Sequence, residues 1–497
     1  MSPHVFLPFA LLALAPGAFA QQPPSAGGQM QQIPPTPVRP RAAPEIIIQP
    51  QTAPASAASD AVKITVRALR ITGARVYSEP ELNELTRFRP GTELSLVDLR
   101  AMAARITDHY RAHGYFVATA YLPAQEVKDE TVTIAVSEGQ YRNVTVRNST
   151  NLSERVVQNE LAGLNSGDPI LVAPLENRLL SLSDIPGVNV RSTLVPGASV
   201  GSSDLIVDVT PGQRITGSID ADNAGNRYTG EERVGATVNL NNPLGLGDVA
   251  SLRGLTSGSG LKYGRASYQL PVGRAQVGVA YSRLDYELGK EFRSLQAHGT
   301  AEIASVFARY PLIRSRNSNL YLQLAYDAKK FQDRVDSVPS VTDKNARVWM
   351  TSLYGDHADR IGAGGQTSYG LTWSSGTIDI RTPEARAADA ATARSNGRFN
   401  KLSFNAARSQ NLGGPFSVYA GLSGQLASKN LDVSEKMELG GMNAVRAYPE
   451  GEAYADEGYL VTIEGRMLLP NSVEWIPGRT QLVAFVDGGG VKTNRDP

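Results

Sequence analysis

Alternation of apolar and polar residues dominates the chain after residue 212. Segments such as Val234–Leu240, Leu320–Tyr326 and Leu402–Ala406 carry apolar residues at every second position, with polar or small residues between them. Side chains of a β-strand point alternately to its two faces, so each segment predicts a strand with one apolar and one polar face. About thirteen such strands of roughly ten residues are expected, a pattern typical of an outer-membrane β-barrel. A soluble β-sandwich is the alternative, but its strands are usually only five or six residues long.

One long loop interrupts the succession of strands. Residues 428–457 separate the alternating segments Phe416–Leu426 and Tyr459–Leu469, and they are rich in glycine and in charged residues. Most hairpin loops hold only a few residues. A loop of this length and composition is therefore a candidate functional segment.

The strands after the loop carry charges on one face. Glu464 and Arg466 lie on the face opposite the apolar residues of their strand, and Asp487 lies on the polar side of the next strand. If the apolar faces meet lipid, these charges face the interior, where Arg446 of the loop can meet an acid. We interpret the segment as a loop folded back into a barrel. For this hairpin alone, a soluble hairpin with solvated charges remains the alternative.

The N-terminal region predicts export and a linker. Residues 1–20 contain an apolar core followed by Ala18-Phe19-Ala20, the cleavage pattern of a secretory signal peptide. Residues 21–60 are rich in Pro, Gln and Ala, which predicts a semi-extended linker. We expect no transmembrane helix, because no other run reaches about 18 apolar residues.

Two small α+β units follow the linker. Residues 61–139 show the order β-α-α-β-β, and residues 140–212 repeat it. In the first unit, Ser95 and Asp98 predict the start of a helix and Gly114 predicts its end. An internal repeat of this kind indicates modular binding domains rather than a single catalytic cleft.

Composition narrows the function classes. The chain has 49 basic and 48 acidic residues, a formal charge of +1, which gives no indication of a nucleic-acid partner. It has no cysteine, which excludes thiol catalysis and disulfides. His109 and His113 have helical spacing, but the glutamate of the metalloprotease pattern is absent, so an exposed helix face is the preferred interpretation. We found no nucleophile elbow, acid–histidine pair or metal cluster, and expect neither an enzyme nor a cofactor.

Two motifs resemble a known family. Val445-Arg446-Ala447-Tyr448 is similar to the Val-Arg-Gly-Tyr signature, and Phe485-Val486-Asp487-Gly488-Gly489 to the Phe-x-Asp-x-Gly signature, of the two-partner secretion (TpsB-type) transporters. These are the haemolysin and filamentous-haemagglutinin secretion/activation proteins. Supporting matches are Asp222–Gly225, Asn242–Asp248, His113–Tyr115 and Ile185–Val188.

The resemblance implies an architecture and a site. It implies a signal peptide, a linker, two POTRA domains (61–139 and 140–212) and a sixteen-stranded antiparallel transmembrane barrel from residue 213, with the loop in its lumen. It also implies that Arg446 pairs with Asp487, with Phe485, Gly488 and Glu464 as supporting residues of the barrel. Because about thirteen strands are counted instead of sixteen, we expect the natural protein to continue beyond residue 497.

Two departures from the family pattern give further expectations. Ala447 replaces the signature glycine, so the loop must avoid a positive φ there or accept strain. The prolines of the linker argue against the N-terminal helix that plugs the barrel in some members.

The function that the resemblance implies is export. We expect an outer-membrane pore of a Gram-negative bacterium whose periplasmic POTRA domains recognise a large cognate exoprotein, an adhesin or haemolysin. The pore would translocate this protein unfolded to the cell surface without ATP. Its partners would be the exoprotein and outer-membrane lipid, with no nucleic acid, and the oligomeric state is left open. The alternatives are a general barrel-assembly factor of the same superfamily and, from another class, a passive porin or outer-membrane enzyme.

Overall fold

The computed structural model describes residues 24–35, 45–48, 63–198, 201–469 and 479–496. The expected signal peptide and most of the expected linker lie outside these residues. None of the helices in the described ranges combines the length and hydropathy that crossing a bilayer requires.

Two elements come from the segment predicted as a linker, namely α1 (Ala26–Gln31) and β1 (Glu45–Ile48). The linker prolines argued against an N-terminal helix, and α1 shows that this expectation is wrong. Pro24 precedes α1 and Pro34 follows it, so no proline falls inside the helix, where it would remove a backbone hydrogen bond. Ser25 is the N-cap of α1.

The first α+β unit packs two helices on a small sheet. Strand β3 pairs in parallel with β6, and β6 pairs antiparallel with β5, while β2 and β4 form a separate pair. Tyr110 and Ile134 are fully buried in its core. Its elements are β2 (Lys63–Val66), β3 (Ala68–Thr72), α2 (Glu79–Thr86), β4 (Thr92–Ser95), α3 (Leu96–Ala112), β5 (Thr119–Tyr121) and β6 (Thr131–Ser137).

The caps predicted for α3 are present. The backbone N–H of Asp98 donates to Ser95 Oγ at 3.2 Å, and the Ser95 N–H donates to Asp98 Oδ2 at 2.9 Å. After the helix, Gly114 has φ +90°, a conformation that side chains with a Cβ rarely adopt. The capping prediction is confirmed at both ends.

The second α+β unit repeats this arrangement with one addition. Its sheet has the order β1-β8-β9-β7, so β1 from the N-terminal segment lies at one edge. Leu175, Leu205 and Val207 are fully buried in its core. Its own elements are β7 (Gln140–Asn148), α4 (Glu154–Glu160), α5 (Val172–Ser183), β8 (Val188–Pro196) and β9 (Ser202–Pro211).

The described residues after the second unit contain one antiparallel sheet of 13 strands, which confirms the predicted number. Each strand pairs with the next along the chain, and the lengths run from 8 to 20 residues, so several exceed the predicted ten. The strands are β10 (Ile215–Asp222), β11 (Arg233–Asn241), β12 (Val249–Thr256), β13 (Leu261–Val272), β14 (Ala275–Glu287), β15 (Ala297–Arg314), β16 (Ser318–Val335), β17 (Ser340–Asp359), β18 (Gly365–Ile380), β19 (Gly397–Gly413), β20 (Phe416–Ala427), β23 (Glu457–Leu468) and β24 (Gln481–Lys492).

Other elements connect these strands. Helix α6 (Pro383–Ala391) lies between β18 and β19, and 3₁₀ helices cover Lys290–Leu295 and Val433–Glu435. The short strands β21 (Met437–Glu438) and β22 (Tyr454–Ala455) pair with each other between β20 and β23. They belong to the long loop.

The two faces of the large sheet differ in what they contact. Apolar residues such as Ile219, Ile463 and Val486 are more than half exposed on the outer face. The inner face carries an apolar cluster, including Phe331 and Phe399, in which Ala26 of α1 is fully buried. Both α1 and the long loop therefore lie on the inner face.

Candidate functional site

The loop between β20 and β23 is fixed to the inner face by buried charges. Glu435 accepts from Lys329 Nζ at 2.6 Å and lies 2.9 Å from Lys401 Nζ, while Asp432 accepts from Lys344 Nζ at 2.9 Å. These lysines come from β16, β19 and β17 in turn. Three spanning strands thus bind the first part of the loop.

These ion pairs are almost fully withdrawn from solvent. The side chain of Glu435 is 3% exposed and that of Asp432 is 7% exposed. Burial alone would raise the pKa of Glu435, but the ammonium groups of Lys329 and Lys401 outweigh burial and hold that pKa below its usual value. Sequence reasoning missed this cluster. The polar faces of the strands were visible, but only the register shows which lysines meet the loop.

The tip of the loop is a compact turn. The Val445 N–H donates to the Leu439 carbonyl at 2.9 Å, and the Gly441 N–H donates to the Tyr448 carbonyl at 2.9 Å. Gly441 has φ +107°, and a Cβ at that position would lie 2.2 Å from the Glu450 carboxyl carbon. The φ angle of Ala447 is not positive, so this turn accommodates alanine without left-handed strain.

Arg446 joins the loop tip to two neighbouring strands. Its Nε donates to Asp487 Oδ2 at 2.7 Å and its Nη2 donates to Asp487 Oδ1 at 2.8 Å. Its Nη1 donates to Glu464 Oε1 at 2.8 Å. Planar, bidentate contacts of this kind are the strong class of charge-assisted hydrogen bond. The structure therefore contains the Arg446–Asp487 pair that the resemblance implies, and adds Glu464 as a second acceptor.

Aromatic rings and a second arginine complete the site. The guanidinium carbon of Arg446 lies 3.7 Å from the centroid of the Phe485 ring. On its other side, Glu464 accepts from Arg466 Nε at 2.8 Å, and Arg466 lies over the ring of Tyr419. The site is thus a chain of alternating charges with aromatic rings against its cations.

The other predicted site residues have less specific surroundings. Val445 is 8% exposed and packs inward, whereas Tyr448 is 52% exposed. A Cβ added at Gly488 would meet nothing within 4 Å, so packing does not require glycine there. Only Val445 and the charged members of the motif are tightly held.

Helix α1 docks against both the sheet and the loop. The Ala26 N–H donates to Asp333 Oδ1 at 2.7 Å, and Thr229 Oγ1 donates to Gln29 at 2.7 Å. Gln32 donates to Tyr454 at 2.8 Å and to Glu438 at 3.0 Å, both in the loop. The helix therefore connects the inner wall with the loop hairpin.

Two carboxyl groups, those of Glu438 and Glu450, lie close together in the loop hairpin that α1 contacts. Burial and the neighbouring Glu450 raise the pKa of Glu438, a loop residue outside the spanning strands, to about 8. Glu438 also accepts from the Gly451 N–H and from Gln32. The loop hairpin thus contains a carboxyl that holds its proton near neutral pH.

Within the described ranges, no group of three or more His, Asp or Glu side chains is arranged to hold a metal ion. His109 and His113 lie on one helix face with their rings 4.3 Å apart.

The fold and the site define a class of protein, an outer-membrane β-barrel with an internal loop, preceded by periplasmic POTRA domains. The chain belongs to the haemolysin secretion/activation protein family ShlB/FhaC/HecB, whose model matches residues 201–497. Residues 64–139 match the POTRA domain of the ShlB type.

Individual relatives agree with this assignment. The chain is 31% identical over 395 residues to the heme/hemopexin transporter protein HuxB of Haemophilus influenzae (strain 86-028NP), covering 78% of this chain and 69% of HuxB. It is 23% identical over 444 residues to the outer membrane transporter CdiB of Dickeya dadantii (strain 3937), covering 86% and 76% of the two chains. The solved structure of CdiB from Escherichia coli aligns with a TM-score of 0.68 at 21% identity, over 90% of this chain and 83% of that chain, and shows the same fold.

The predicted family, fold class and location are thereby confirmed. The protein is an outer-membrane transporter of the two-partner secretion type, with its POTRA domains in the periplasm. The relatives that match it most extensively carry names of transporters.

Proposed function

We propose that this transporter recognises one large exoprotein, an adhesin or haemolysin, through its POTRA domains and passes it unfolded through the barrel. The observation that carries the proposal is the anchoring of the loop tip. Arg446 binds Asp487 of β24 and Glu464 of β23 at once, so the loop is attached to the inner wall by a contact that is strong yet polar. Because the groups on both sides are polar, water can replace these hydrogen bonds when the loop moves away from the wall.

Recognition of an unfolded client fits the α+β units. Their sheets have edge strands whose backbone N–H and C=O groups can pair with an extended chain. Pairing through the backbone depends little on the sequence of the client. A cavity of about 1200 Å³ lies where the second unit meets the first hairpin of the large sheet, lined by Arg147, Asn189, Arg191, Thr216 and Asn241 among others. A cavity at this junction suits a polypeptide passing from unit to barrel.

The energy for transport comes from the client. The sequence contains no nucleotide-binding motif, and the outer membrane faces no nucleotide pool. Folding of the exported chain outside the cell makes its return unfavourable, and so gives the movement a direction.

The experiment is deletion of the gene in its own host, followed by comparison of the culture supernatant, the cell surface and the outer membrane. Loss of one very large secreted or surface protein, restored by the plasmid-borne gene, supports dedicated export. Loss of many outer-membrane barrels supports the assembly-factor alternative and contradicts the proposal. An unchanged set of exported proteins also contradicts it.

A further inference from the structure

Three basic residues lie together on the outer face of the large sheet. They are Lys330 of β16, Arg347 of β17 and Arg398 of β19, and all three are exposed. Their chain neighbours point to the opposite face, where Val348 and Phe399 are buried in the inner apolar cluster. We refer to Lys330, Arg347 and Arg398 as the outer basic cluster.

The contact with the second α+β unit shows which end of the sheet carries this cluster. Arg314, the last residue of β15, donates to both carboxylate oxygens of Asp184 at 2.7 and 2.9 Å. Because the POTRA domains are periplasmic, the turn between β15 and β16 lies at the periplasmic end. Lys330 lies in the second half of β16, whereas Arg347 and Arg398 lie in the first halves of β17 and β19. The strands are antiparallel, so the cluster lies toward the extracellular end.

Aromatic side chains of the same face indicate the depth of the cluster in the membrane. Trp349 follows Arg347 toward the periplasm and packs against Tyr326, with ring centroids 4.7 Å apart. Trp and Tyr are enriched where hydrocarbon meets the headgroups. Lys330 lies about 40 Å along β16 from its periplasmic end, which is about 30 Å along the membrane normal for a strand tilted by about 40°. This height places the cluster just outside an apolar band of about 25 Å.

The strand register brings the three side chains into one patch. Arg347 and Arg398 are both opposite Thr377 of β18, in one row across three strands. Lys330 is opposite Asn345, which lies on the same face of β17 as Arg347. Because the two arginines are two strands apart, their Cα atoms are separated by about 10 Å. Side chains as long as that of arginine reach, from these positions, two anionic groups of one molecule.

Three acids on this part of the outer face each have a basic partner of their own. The pairs are Glu302 with Arg283 at 2.9 Å, Asp343 with Arg334 at 3.5 Å and Asp379 with Arg386 at 2.6 Å. Glu302 is directly opposite Lys330 in the sheet, yet it binds Arg283. Among the residues that the structure describes, Lys330, Arg347 and Arg398 form no ion pair. The cluster therefore carries positive charge that the protein itself does not neutralise.

We infer that the outer basic cluster binds the phosphate groups of lipid A, the lipid of the outer leaflet of the outer membrane. Cations at the edge of the hydrocarbon region are costly unless water or anionic headgroups solvate them. Lipid A presents phosphates at this depth, and the planar guanidinium group of arginine matches two phosphate oxygens. Trp349 provides an apolar surface for the acyl chains below. The inference concerns attachment to the membrane and does not depend on the exported protein.

Binding of purified lipid A to the purified transporter in detergent tests the inference. Native mass spectrometry counts the bound lipid A molecules, and a titration gives the dissociation constant. Arg347→Gln with Arg398→Gln removes two charges at exposed positions and should weaken binding at least tenfold. Lipid A without its phosphates should bind the unmodified protein as weakly as intact lipid A binds this double variant.

Two control variants separate charge from folding. Arg360→Gln removes an exposed arginine in the turn between β17 and β18, at the periplasmic end, and should leave binding unchanged. Arg347→Lys with Arg398→Lys keeps both charges and should bind within threefold of the unmodified protein. Heat-dependent migration on gels verifies that each barrel is folded. Raising the salt concentration should weaken binding to the unmodified protein, which tests the charge without any substitution.

Several outcomes would overturn the inference. Equal binding by the double glutamine variant and the unmodified protein would do so, and so would equal binding of lipid A without phosphates, because the acyl chains would then suffice. Equally tight binding of phosphatidylglycerol, or displacement of lipid A by inorganic phosphate, would contradict the assignment to lipid A. Each of these outcomes leaves the proposed export function standing, since none of them involves the exported protein. Failure of the gene deletion to change export would, in turn, leave this inference standing.

Discussion

The Asp487 carboxylate binds Arg446 through both the side chain and the backbone. Oδ2 accepts from Nε at 2.7 Å and from the Arg446 N–H at 3.2 Å, while Oδ1 accepts from Nη2 at 2.8 Å. One acid of β24 thus fixes the position of the loop tip as well as the direction of its arginine. A point charge such as lysine cannot reproduce this geometry, because it lacks the planar fork.

Arg446→Lys should therefore impair export despite keeping the charge. Removing one partner of a fully buried ion pair costs about 3–5 kcal/mol. For Arg446→Ala we expect about half of this cost, because a quarter of the Arg446 side chain is exposed. Arg446→Ala and Asp487→Ala should each lower secretion, and the double variant should be no worse than either single one. Arg360→Ala, an exposed arginine elsewhere, is the control. The measurements are secretion of the cognate protein and thermal unfolding in detergent. If the losses of the two single alanine variants added up in the double variant, direct coupling of Arg446 and Asp487 would be contradicted.

A second prediction concerns the buried lysines. Asp432→Asn should leave Lys344 charged and unpaired on the inner wall, and Glu435→Gln should do so for Lys329 and Lys401 together. Because Glu435 pairs with two lysines, Glu435→Gln should lower the unfolding temperature more than Asp432→Asn does.

The measurement is heat-dependent migration of the folded barrel on gels. Glu232→Gln, an exposed acid between β10 and β11, should leave it unchanged. A smaller effect of Glu435→Gln than of Asp432→Asn would show that the two-lysine contact is not the stronger anchor.

A third prediction follows from the raised pKa of Glu438. The folded loop holds this proton with a pKa of about 8, above the ordinary glutamate value near 4.3. The stabilisation is therefore complete in acid, below the ordinary pKa, and is lost as the pH rises through about 8. Protease cleavage at Lys436 within the loop should accelerate between pH 7 and 9. Glu438→Gln should remove this pH dependence, and a persistent dependence would assign it to another group.

The sequence was informative where a local pattern decides the structure. Alternation predicted the strands of the sheet, and Ser95 with Asp98 located the start of α3, because both signals act within a few residues. The motif containing Arg446 indicated the acid it meets only through the family resemblance. Glu464 as a second acceptor, and Lys329 against Glu435, depend on strand register and on the path of the loop, which no local pattern specifies.

For the N-terminal segment, composition led to a wrong prediction. Its prolines led to the expectation of a semi-extended linker without a helix, yet Pro24 and Pro34 flank α1 rather than interrupt it. The four residues of β1 include three isoleucines, a residue type that favours strands, but their partner β8 lies more than a hundred residues away. Composition describes a segment on average and does not locate short elements that depend on distant partners.

The last prediction concerns the contact between α1 and the loop. A Cβ at Gly27 would lie 2.6 Å from Ser434 Cβ and 3.2 Å from Ser434 Cα, so even alanine forces a shift of the backbone. Gly27→Leu should therefore displace α1 from the inner face, since overpacking of this kind typically costs about 1–3 kcal/mol and α1 is only six residues long. Loss of the helix also removes the contacts of Gln32 with the loop.

Displacement of α1 should widen the path through the interior. Single-channel recordings in planar bilayers should show a severalfold higher conductance for Gly27→Leu, and a cysteine at Gln29, buried in the parent protein, should become accessible to maleimide. Met30→Leu, which conserves volume at the partly buried neighbour, is the matched control and should change neither. Unchanged conductance together with unchanged labelling would show that the wall and loop yield to the larger side chain and that α1 stays bound.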